Sequence, residues 1–339
     1  MLCAQTAKRW LAGEVALIAG HVQWRIALTV LVALLATVDP VHARTQSGDQ
    51  LADLRAQVSQ LYEQGKYAAA VAVAEQYIAL ARQKHGQDHT EYAAAISWLA
   101  YVYQALGRYA EAEPLYRRDL AITEKVLGSD HPAFGRSLNN LAELYRAQGR
   151  YAEAEPLYER DLAITEKALG PDHPDVGTVL NNLAGLYDSQ GYYADAEPLY
   201  KRALAITEKS LGPDHPDVGT ALNNLAGLYG AQGRYAQAEP LYKRSLAIRE
   251  KALSPDHPEI GAVLNNLAEL YRGQRRYGDA EPLYKRALAI DEKALGPDHP
   301  DVAIDLNNLA ELYHAQGRTA EAKLLLKRVL AIKRKASSK

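Results

Sequence analysis

The sequence repeats itself every 42 residues over most of its length. The segment Leu-Asn-Asn-Leu-Ala begins at Leu138, Leu180, Leu222, Leu264 and Leu306. Two weaker copies begin at Ile96 and Leu54, which makes seven units in all. A period of this size is typical of solenoid arrays, in which each unit packs only against its neighbours. We therefore expect residues 54–335 to form one elongated repeat domain, although 339 residues would ordinarily suggest about two domains.

One unit, residues 138–179, has the pattern of two helices joined by a turn. Apolar residues between Leu138 and Tyr145 follow the i, i+3, i+4, i+7 spacing of one helix face. Gly149 follows, and glycine readily takes the left-handed conformation that ends a helix. A second, longer apolar face runs over 154–169 before Gly170-Pro171 stops it. The predicted fold is therefore all-α, a right-handed α-solenoid of about seven stacked helix-turn-helix units.

Proline lies inside the second predicted helix of the unit, at Pro156. It recurs at the same place in four other units, as Pro114, Pro198, Pro240 and Pro282. An interior proline costs a helix about 3 kcal/mol. Either the second helix starts after the proline or it bends there, and the sequence does not decide between the two.

The repeated unit resembles the tetratricopeptide repeat, in the 42-residue variety of kinesin light chains. The residues that carry the resemblance are Leu141, Ala142, Tyr145, Gly149, Tyr151, Ala154 and Tyr158, with the Leu-Gly-Pro-Asp-His-Pro connector. It covers roughly Leu54 to Lys335. The resemblance implies that first helices line a concave groove, which holds a peptide or partner protein. No heptad coiled coil precedes the array, so a role in motor transport is not expected.

The N-terminal residues 1–43 are predicted to be a signal peptide. Arg25 precedes the uncharged segment 26–38, and Val41 and Ala43 occupy the −3 and −1 places of a cleavage site. A membrane span needs about 20 apolar residues, more than this segment supplies. We expect an exported protein, periplasmic or secreted. The alternative is an uncleaved anchor at 26–38, the only part expected to touch a membrane.

The ends of the expected array are short and polar. Residues 44–53 are predicted to be a polar linker between the signal peptide and the array, and residues 336–339 a polar tail. Cys3 is the only cysteine and would be removed with the signal peptide. A mature chain without cysteine suits an oxidising compartment without needing disulfides.

Composition and motifs argue against several classes of function. The formal charge is −2 and no basic stripe is present, so we expect no nucleic-acid partner. The sequence has no phosphate-binding loop and no metalloprotease or hydrolase motif. Catalysis needs different groups converging on one substrate, whereas near-identical units supply the same groups repeatedly. We therefore expect no enzyme, no cofactor and no small-molecule substrate.

An Asp-His pair recurs in the connectors, for example as Asp172-His173. Zinc ligands must converge at about 2.0–2.3 Å on one ion. Stacked units are separated by about 8–10 Å, so successive pairs cannot share a metal. A structural role is simpler: Pro174 suits the first helical position, and Asp172 and Asp175 supply acceptors to the helix N-terminus. We expect no metal site.

A double asparagine recurs in the first helix of five units. The pairs are Asn139-Asn140, Asn181-Asn182, Asn223-Asn224, Asn265-Asn266 and Asn307-Asn308. Asparagine is a poor residue for a helix interior, so five copies require a reason. One interpretation is that an amide bonds the neighbouring unit and orders the stack. The other, which the resemblance favours, is that amides face the groove and pair with an extended peptide backbone.

Selectivity is expected at groove positions that differ between units. The candidates are Glu143, Arg146, Gly185, Asp188, Gly227, Glu269 and Arg272. Gly185 and Gly227 would open space at the centre of the array for a bulky side chain with charged neighbours. Neutral variation on a solvated face is the alternative.

Two non-catalytic functions remain after these exclusions. The first is a protein-protein interaction scaffold that binds a peptide or partner protein in the groove. The second is a self-associating structural element of an envelope assembly, joined through open array ends. The Lys-rich last helix favours the scaffold, because terminal units need a polar outer face. The first unit is rich in alanine and valine, so association through the N-terminal end is the runner-up.

Overall fold

The computed structural model describes residues 40–337, with side chains described over 50–335. The chain divides into two compact parts, Met1–Leu54 and Arg55–Lys339. The segment 26–38 and most of the expected signal peptide lie outside the described residues. Residues 44–53, the expected polar linker, are helical and belong to the first described helix, which begins at Pro40.

Every regular element of the described residues is an α-helix. The helices are α1 Pro40–Glu63, α2 Tyr67–His85, α3 Thr90–Ala105, α4 Tyr109–Leu127, α5 Pro132–Ala147, α6 Tyr151–Leu169, α7 Pro174–Ser189, α8 Tyr193–Leu211, α9 Pro216–Ala231, α10 Tyr235–Ala252, α11 Pro258–Gly273, α12 Tyr277–Leu295, α13 Pro300–Ala315 and α14 Thr319–Ser337. None of them is long and apolar enough to span a membrane.

The helices pack as adjacent pairs, one pair for each repeat unit. The most extensive contacts join the two helices of a unit, such as α5 with α6 and α7 with α8. The first helices of successive units, such as α7 and α9, also touch. The all-α prediction of stacked helix-turn-helix units is confirmed. We number the units 1 to 7, so that unit 3 consists of α5 and α6.

The turn inside each unit follows the predicted glycine chemistry. Gly149 has φ +71°, and the next amide, of Arg150, donates to the carbonyl of Tyr145 at 2.8 Å. Unit 6 carries Arg275 at the glycine position with φ 60°. It is the one non-glycine residue with positive φ in the described part of the chain. Arginine is held there in a conformation that a side chain disfavours.

A histidine caps the helix that follows each connector, whereas we predicted this role for the preceding aspartate, Asp172. The amide of Asp175 donates to Nδ1 of His173 at 3.2 Å, with Pro174 at the first helical position. Asp172 precedes the cap, and its Oδ2 accepts a hydrogen bond from Nζ of Lys209 in the next unit at 2.6 Å. The histidine is therefore architectural, as expected, but the capping role assigned to Asp172 was wrong.

This lysine–aspartate contact recurs at every junction after unit 1. The pairs are Lys125–Asp88, Lys167–Asp130, Lys209–Asp172, Lys251–Asp214, Lys293–Asp256 and Lys335–Asp298. Both side chains of each pair are exposed, so one pair contributes at most about 1 kcal/mol. Each pair joins the second helix of one unit to the connector that precedes that unit.

The proline of the second helix lies within a continuous helix. Helix α6 begins at Tyr151 and passes through Pro156 without interruption, so a late start is the wrong alternative. The missing N–H leaves the carbonyl of Ala152 without its usual helical donor. Pro156 is the sixth residue of the helix, and its missing N–H removes one helical hydrogen bond.

A second contact between units uses the core tyrosines. Glu197 of unit 4 accepts from the hydroxyl of Tyr229 at 3.1 Å and from Arg234 at 2.6 Å. The Arg234 guanidinium also lies 4.1 Å from the centre of the Tyr229 ring. The hydrogen bond from Arg234 lowers the pKa of Glu197 to about 2. Unit 4 itself has Tyr192 in place of this arginine, so Glu155 accepts only from the hydroxyl of Tyr187.

Candidate functional site

A cavity of about 1130 Å³ lies at the N-terminal end of the array. Its lining comes from the first helices α1, α3, α5 and α7 and from the second helices α4 and α6. Four of the predicted site residues are part of the lining: Asn139, Asn140, Asn182 and Glu143. The remaining candidates lie along the array outside this cavity.

The double asparagines form a hydrogen-bonded ladder between units. Nδ2 of Asn182 donates to Oδ1 of Asn139 at 2.9 Å, so the second asparagine of a unit bonds the first of the unit before. Two more rungs, each 3.0 Å long, are Asn224 to Asn181 and Asn266 to Asn223. The amides therefore order the stack. They remain half-buried, and each has further hydrogen-bonding capacity for a ligand.

The ladder changes at both ends. Asn140 donates to Oγ of Ser97 at 3.3 Å, because unit 2 lacks the double asparagine. At the other end Asn265 donates to Asp305, and Asn307 donates to Glu311 at 2.8 Å within its own helix. Oδ1 of Asn265 has no hydrogen-bond partner, so Asn308 is not a rung.

The two central glycines each lie close to the hydroxyl of a buried tyrosine. A Cβ at Gly185 would lie 3.4 Å from the Tyr200 hydroxyl, and one at Gly227 would lie 3.5 Å from that of Tyr242. Units 3 and 6 have glutamates at this position, and these accept from the equivalent tyrosines: Tyr158 to Glu143, and Tyr284 to Glu269. The lining of the 1130 Å³ cavity does not include either glycine. The opening that we predicted beside Gly185 and Gly227 is therefore not the 1130 Å³ cavity.

The charged candidates near these glycines are paired with one another. Arg146 contacts Glu143 at 2.8 Å, and Arg272 contacts Glu269 at 2.7 Å, each within one helix. Asp188 is half-buried, and this burial raises its pKa. These two pairs therefore balance the charge of the predicted candidates Glu143, Arg146, Glu269 and Arg272.

An aromatic cluster in the cavity wall was missed by sequence reasoning. The rings of Tyr62 and Tyr101 are stacked with centroids 4.5 Å apart, and Trp98 meets Tyr101 edge-on at 5.9 Å. Trp98 stands where later units have the second asparagine, and Tyr101 stands where unit 3 has Glu143. Tyr101 is 43% exposed. The departure of unit 2 from the Leu-Asn-Asn-Leu-Ala pattern was the signal that could have revealed it.

Two buried carboxylates beneath the cavity were also missed. Asp119 and Asp161 are only 5% and 1% exposed, yet both contribute to the lining. Burial raises the pKa of each to about 6, and Thr123 and Thr165 donate to them at 3.2 and 3.0 Å. Units 4, 5 and 6 have Ala203, Ser245 and Ala287 at this position. The carboxylates are therefore not needed to build a repeat.

The titratable groups of the lining are mostly acidic. The acids are Glu91, Asp119, Glu143, Asp161 and Asp175, and the bases are Arg55 and Arg136. No group of three or more histidine, cysteine or acidic side chains is arranged to hold a metal ion within the described residues. The cavity is thus an acidic and aromatic surface.

Family comparison assigns the repeat directly. The family model described as tetratricopeptide repeat matches residues 91–160, 134–209, 189–251, 217–293 and 259–335. A second model with the same description matches residues 61–91. A search of curated proteins finds no match to the chain.

Solved structures with similar folds include repeats of the kinesin light chain kind. A kinesin light chain candidate from Podosopora anserina, with nearly identical TPR-like repeats, is 33% identical; the match covers 60% of this chain and 97% of that one, with a TM-score of 0.51. BtubC (BKLC) from P. vanneervenii is 26% identical over 69% of this chain and 92% of that one, with a TM-score of 0.53.

A Rap protein complexed with competence and sporulation factor shares the fold at lower identity. It is 17% identical over 83% of this chain and 74% of that one, with a TM-score of 0.64. This likeness concerns the fold alone. The family models match well over half of the sequence, and the repeats have the 42-residue kinesin light chain form. The chain belongs to the tetratricopeptide-repeat family.

Proposed function

We propose that this array is a non-catalytic scaffold that binds an extended peptide, or an extended segment of a partner protein, in the cavity of units 1 to 4. The observation that carries the proposal is the cavity of about 1130 Å³ lined by four successive first helices. Pockets for small molecules usually measure about 300–1,000 Å³, so this one suits a longer ligand.

The lining chemistry suits a polypeptide ligand. Half-buried amides such as Asn139 and Asn182 provide donors and acceptors for a peptide backbone of any sequence. Trp98 and Tyr101 supply apolar area to the cavity wall, and Tyr101 keeps 43% of its surface exposed. Aromatic residues are the usual anchors of binding surfaces. Backbone pairing would give affinity and the aromatic wall would give selectivity.

Proteins of similar fold support the proposal by analogy. One Rap structure contains competence and sporulation factor, and the Rap regulator of plasmid pLS20 was solved with the Phr* peptide. Their identities to this chain are 17% and 14%, so the analogy concerns the fold and not the ligand.

The test is binding of the full chain to a random peptide library, read by affinity enrichment. The informative variant is Trp98→Asn combined with Tyr101→Gly, because Asn182 and Gly185 occupy these positions in unit 4 and the repeat accepts them. Tyr192→Arg is the matched control, since Tyr192 is exposed and lies in a turn outside the lining. We expect the wild type and the control to enrich the same peptides, and the double variant to lose at least about tenfold in affinity, or 1.4 kcal/mol.

Two results would contradict the proposal. The wild type would enrich no peptide, or the double variant would bind the enriched peptides as well as the wild type does. Circular dichroism establishes that both variants keep their helix content.

Self-association remains the second candidate, and one observation favours it. The terminal helix α14, expected to be a polar cap, exposes Leu324 and Leu330. Sedimentation over a concentration series separates the two functions. A scaffold stays monomeric, whereas association that is lost in Leu324→Lys would favour an assembly through this end.

We also propose that the protein acts outside the cytoplasm. The support is the basic, apolar and small-residue order of 1–43. N-terminal sequencing of the protein from a cell envelope fraction tests this, with a start at Arg44 expected. A chain recovered in the cytoplasm with an intact N-terminus would refute it.

A further inference from the structure

We propose that the end of the cavity formed by units 1 to 3 binds a cationic side chain, arginine or lysine, of the bound segment. This inference rests on the proposed function and names what the same site selects. Two features of the wall, one aromatic and one acidic, lead to it independently.

The aromatic feature is a surface on which a cation can lie. Tyr62, Trp98 and Tyr101 contact one another in the wall, and Tyr101 keeps 43% of its surface exposed. A guanidinium or ammonium group over such rings gains about 0.5–2 kcal/mol, with tryptophan the best partner. The alkyl stem of arginine or lysine packs on the same rings.

The acidic feature lies next to the rings. Tyr116 is 1% exposed and lines the same cavity as Tyr101 and Asp119. Burial raises the pKa of Tyr116, and the nearby Tyr101, Tyr62 and Asp119 add to the rise. Asp119 and Asp161 lie behind the wall, where their charge is screened less than that of exposed carboxylates. The aromatic and acidic groups therefore act on one part of the cavity.

The charge of this part is not balanced by the protein. Glu143 is already paired with Arg146. Arg136 is close enough to both buried carboxylates to oppose the rise in their pKa. Arg55 is the other base of the lining, and Glu91 is a further acid, so the acids outnumber the bases. Asp175 approaches Asp161 and adds a further negative charge. A ligand cation would offset this excess.

The later units provide an internal comparison. They carry Ala203, Ser245 and Ala287 in place of the carboxylates, and asparagine in place of Trp98. The combination of rings and carboxylates therefore occurs only in units 1 to 3 of the described array. A selective contact is expected there and not further along the groove.

The test uses the peptides enriched by the wild-type full chain. Each is synthesised with a fluorescent label, together with a version in which its arginine or lysine is replaced by glutamine. Binding is measured by fluorescence anisotropy for the wild type and for Asp119→Ala combined with Asp161→Ala. The alanines match Ala203 and Ala287, so the repeat tolerates them, and Asp119→Asn with Asp161→Asn provides a second variant that keeps side-chain size.

We expect the enriched peptides to contain arginine or lysine, and the glutamine versions to bind the wild type at least tenfold more weakly. Both aspartate variants should show a smaller difference between the two versions than the wild type does, because they keep the rings but lack the carboxylates. Affinity for the cationic version should also increase as pH rises through about 6, where Asp119 and Asp161 ionise.

Enriched peptides without a basic residue would overturn the inference while leaving the scaffold intact. Unchanged discrimination in the aspartate variants would do the same. If no peptide is enriched at all, the proposed function itself fails, and this inference fails with it.

Discussion

Asn182 and Asn139 are joined across two repeat units by an amide–amide hydrogen bond of 2.9 Å. The bond gives a purpose to a residue pair that the helix itself disfavours. It also leaves the amides at the edge of the cavity, where Asn139 and Asn182 both contribute to the lining. One residue pair thus orders the stack and faces the proposed ligand.

Removal of a ladder rung should destabilise the array. Asn182→Ala leaves Oδ1 of Asn139 without its donor, which costs about 1 kcal/mol. Alanine also improves helix propensity, so the control is Asn308→Ala, which has the same gain but breaks no rung. We expect Asn182→Ala to be about 1 kcal/mol less stable than Asn308→Ala in urea unfolding. Equal stabilities would show that the ladder contributes nothing.

Restoring the missing arginine of unit 4 should stabilise the array. Tyr192→Arg places a guanidinium where Arg150 and Arg234 lie in the adjacent units, within reach of Glu155 and the Tyr187 ring. The ion pair and the ring contact together should add about 1 kcal/mol. Thermal unfolding at low and high salt measures this gain, which should shrink as salt rises. A lower melting temperature than wild type would contradict the proposed contact.

Relief of the strained turn in unit 6 should also stabilise it. Arg275 has φ 60°, whereas Gly233 and Gly317 occupy this position in the adjacent units. The left-handed conformation costs a side chain about 1–2 kcal/mol, part of which is offset by the greater freedom of glycine in the unfolded chain. Arg275→Gly should therefore raise stability by roughly 0.5–1 kcal/mol in urea unfolding. A loss of stability would mean that the Arg275 side chain makes a compensating contact.

The buried acidic pair of units 6 and 7 should make stability depend on pH. Burial raises the pKa of both Asp291 and Asp305, and for Asp291 the neighbouring carboxyl raises it further. Groups with a raised folded-state pKa stabilise the fold when protonated, below about pH 4, and this contribution is lost as pH rises through the raised values. Asp305→Val, which matches Val179 and Val263, should stabilise the protein by on the order of 1–3 kcal/mol at pH 8.

Melting temperatures of this variant and the wild type should converge as pH falls toward 4. Asp53→Asn, at an exposed carboxylate, is the control and should change little at either pH. A constant difference for Asp305→Val across the pH range would contradict the ionisation account.

The fold was predictable because one period governs the sequence. Helical spacing over 138–145 and the glycine at 149 fixed the hairpin, and both agree with the structure. The cap was not predictable, because aspartate is the better N-cap by propensity and the Lys209 contact of Asp172 depends on the stacking of units. Pro156 was ambiguous because its cost depends on its distance from the helix start.

The site was less predictable than the fold. The near-identical units drew attention to the asparagines and to the central glycines. The cavity lies instead where the units have diverged, at Trp98, Tyr101, Asp119 and Asp161. Periodicity identifies residues that build a repeat, but it does not show which neighbours surround a departure from the repeat.

The most direct test of the binding account locates the ligand on the array. A photoreactive p-benzoylphenylalanine is placed at Tyr101 in one protein and at Tyr192 in another, since both tyrosines are exposed, at 43% and 55%. Each protein is irradiated with a library-selected peptide, and the crosslinked fraction is measured by mass spectrometry. The account predicts crosslinking from position 101 and none above background from position 192. Crosslinking from 192 alone, or equally from both, would contradict a binding site in the cavity.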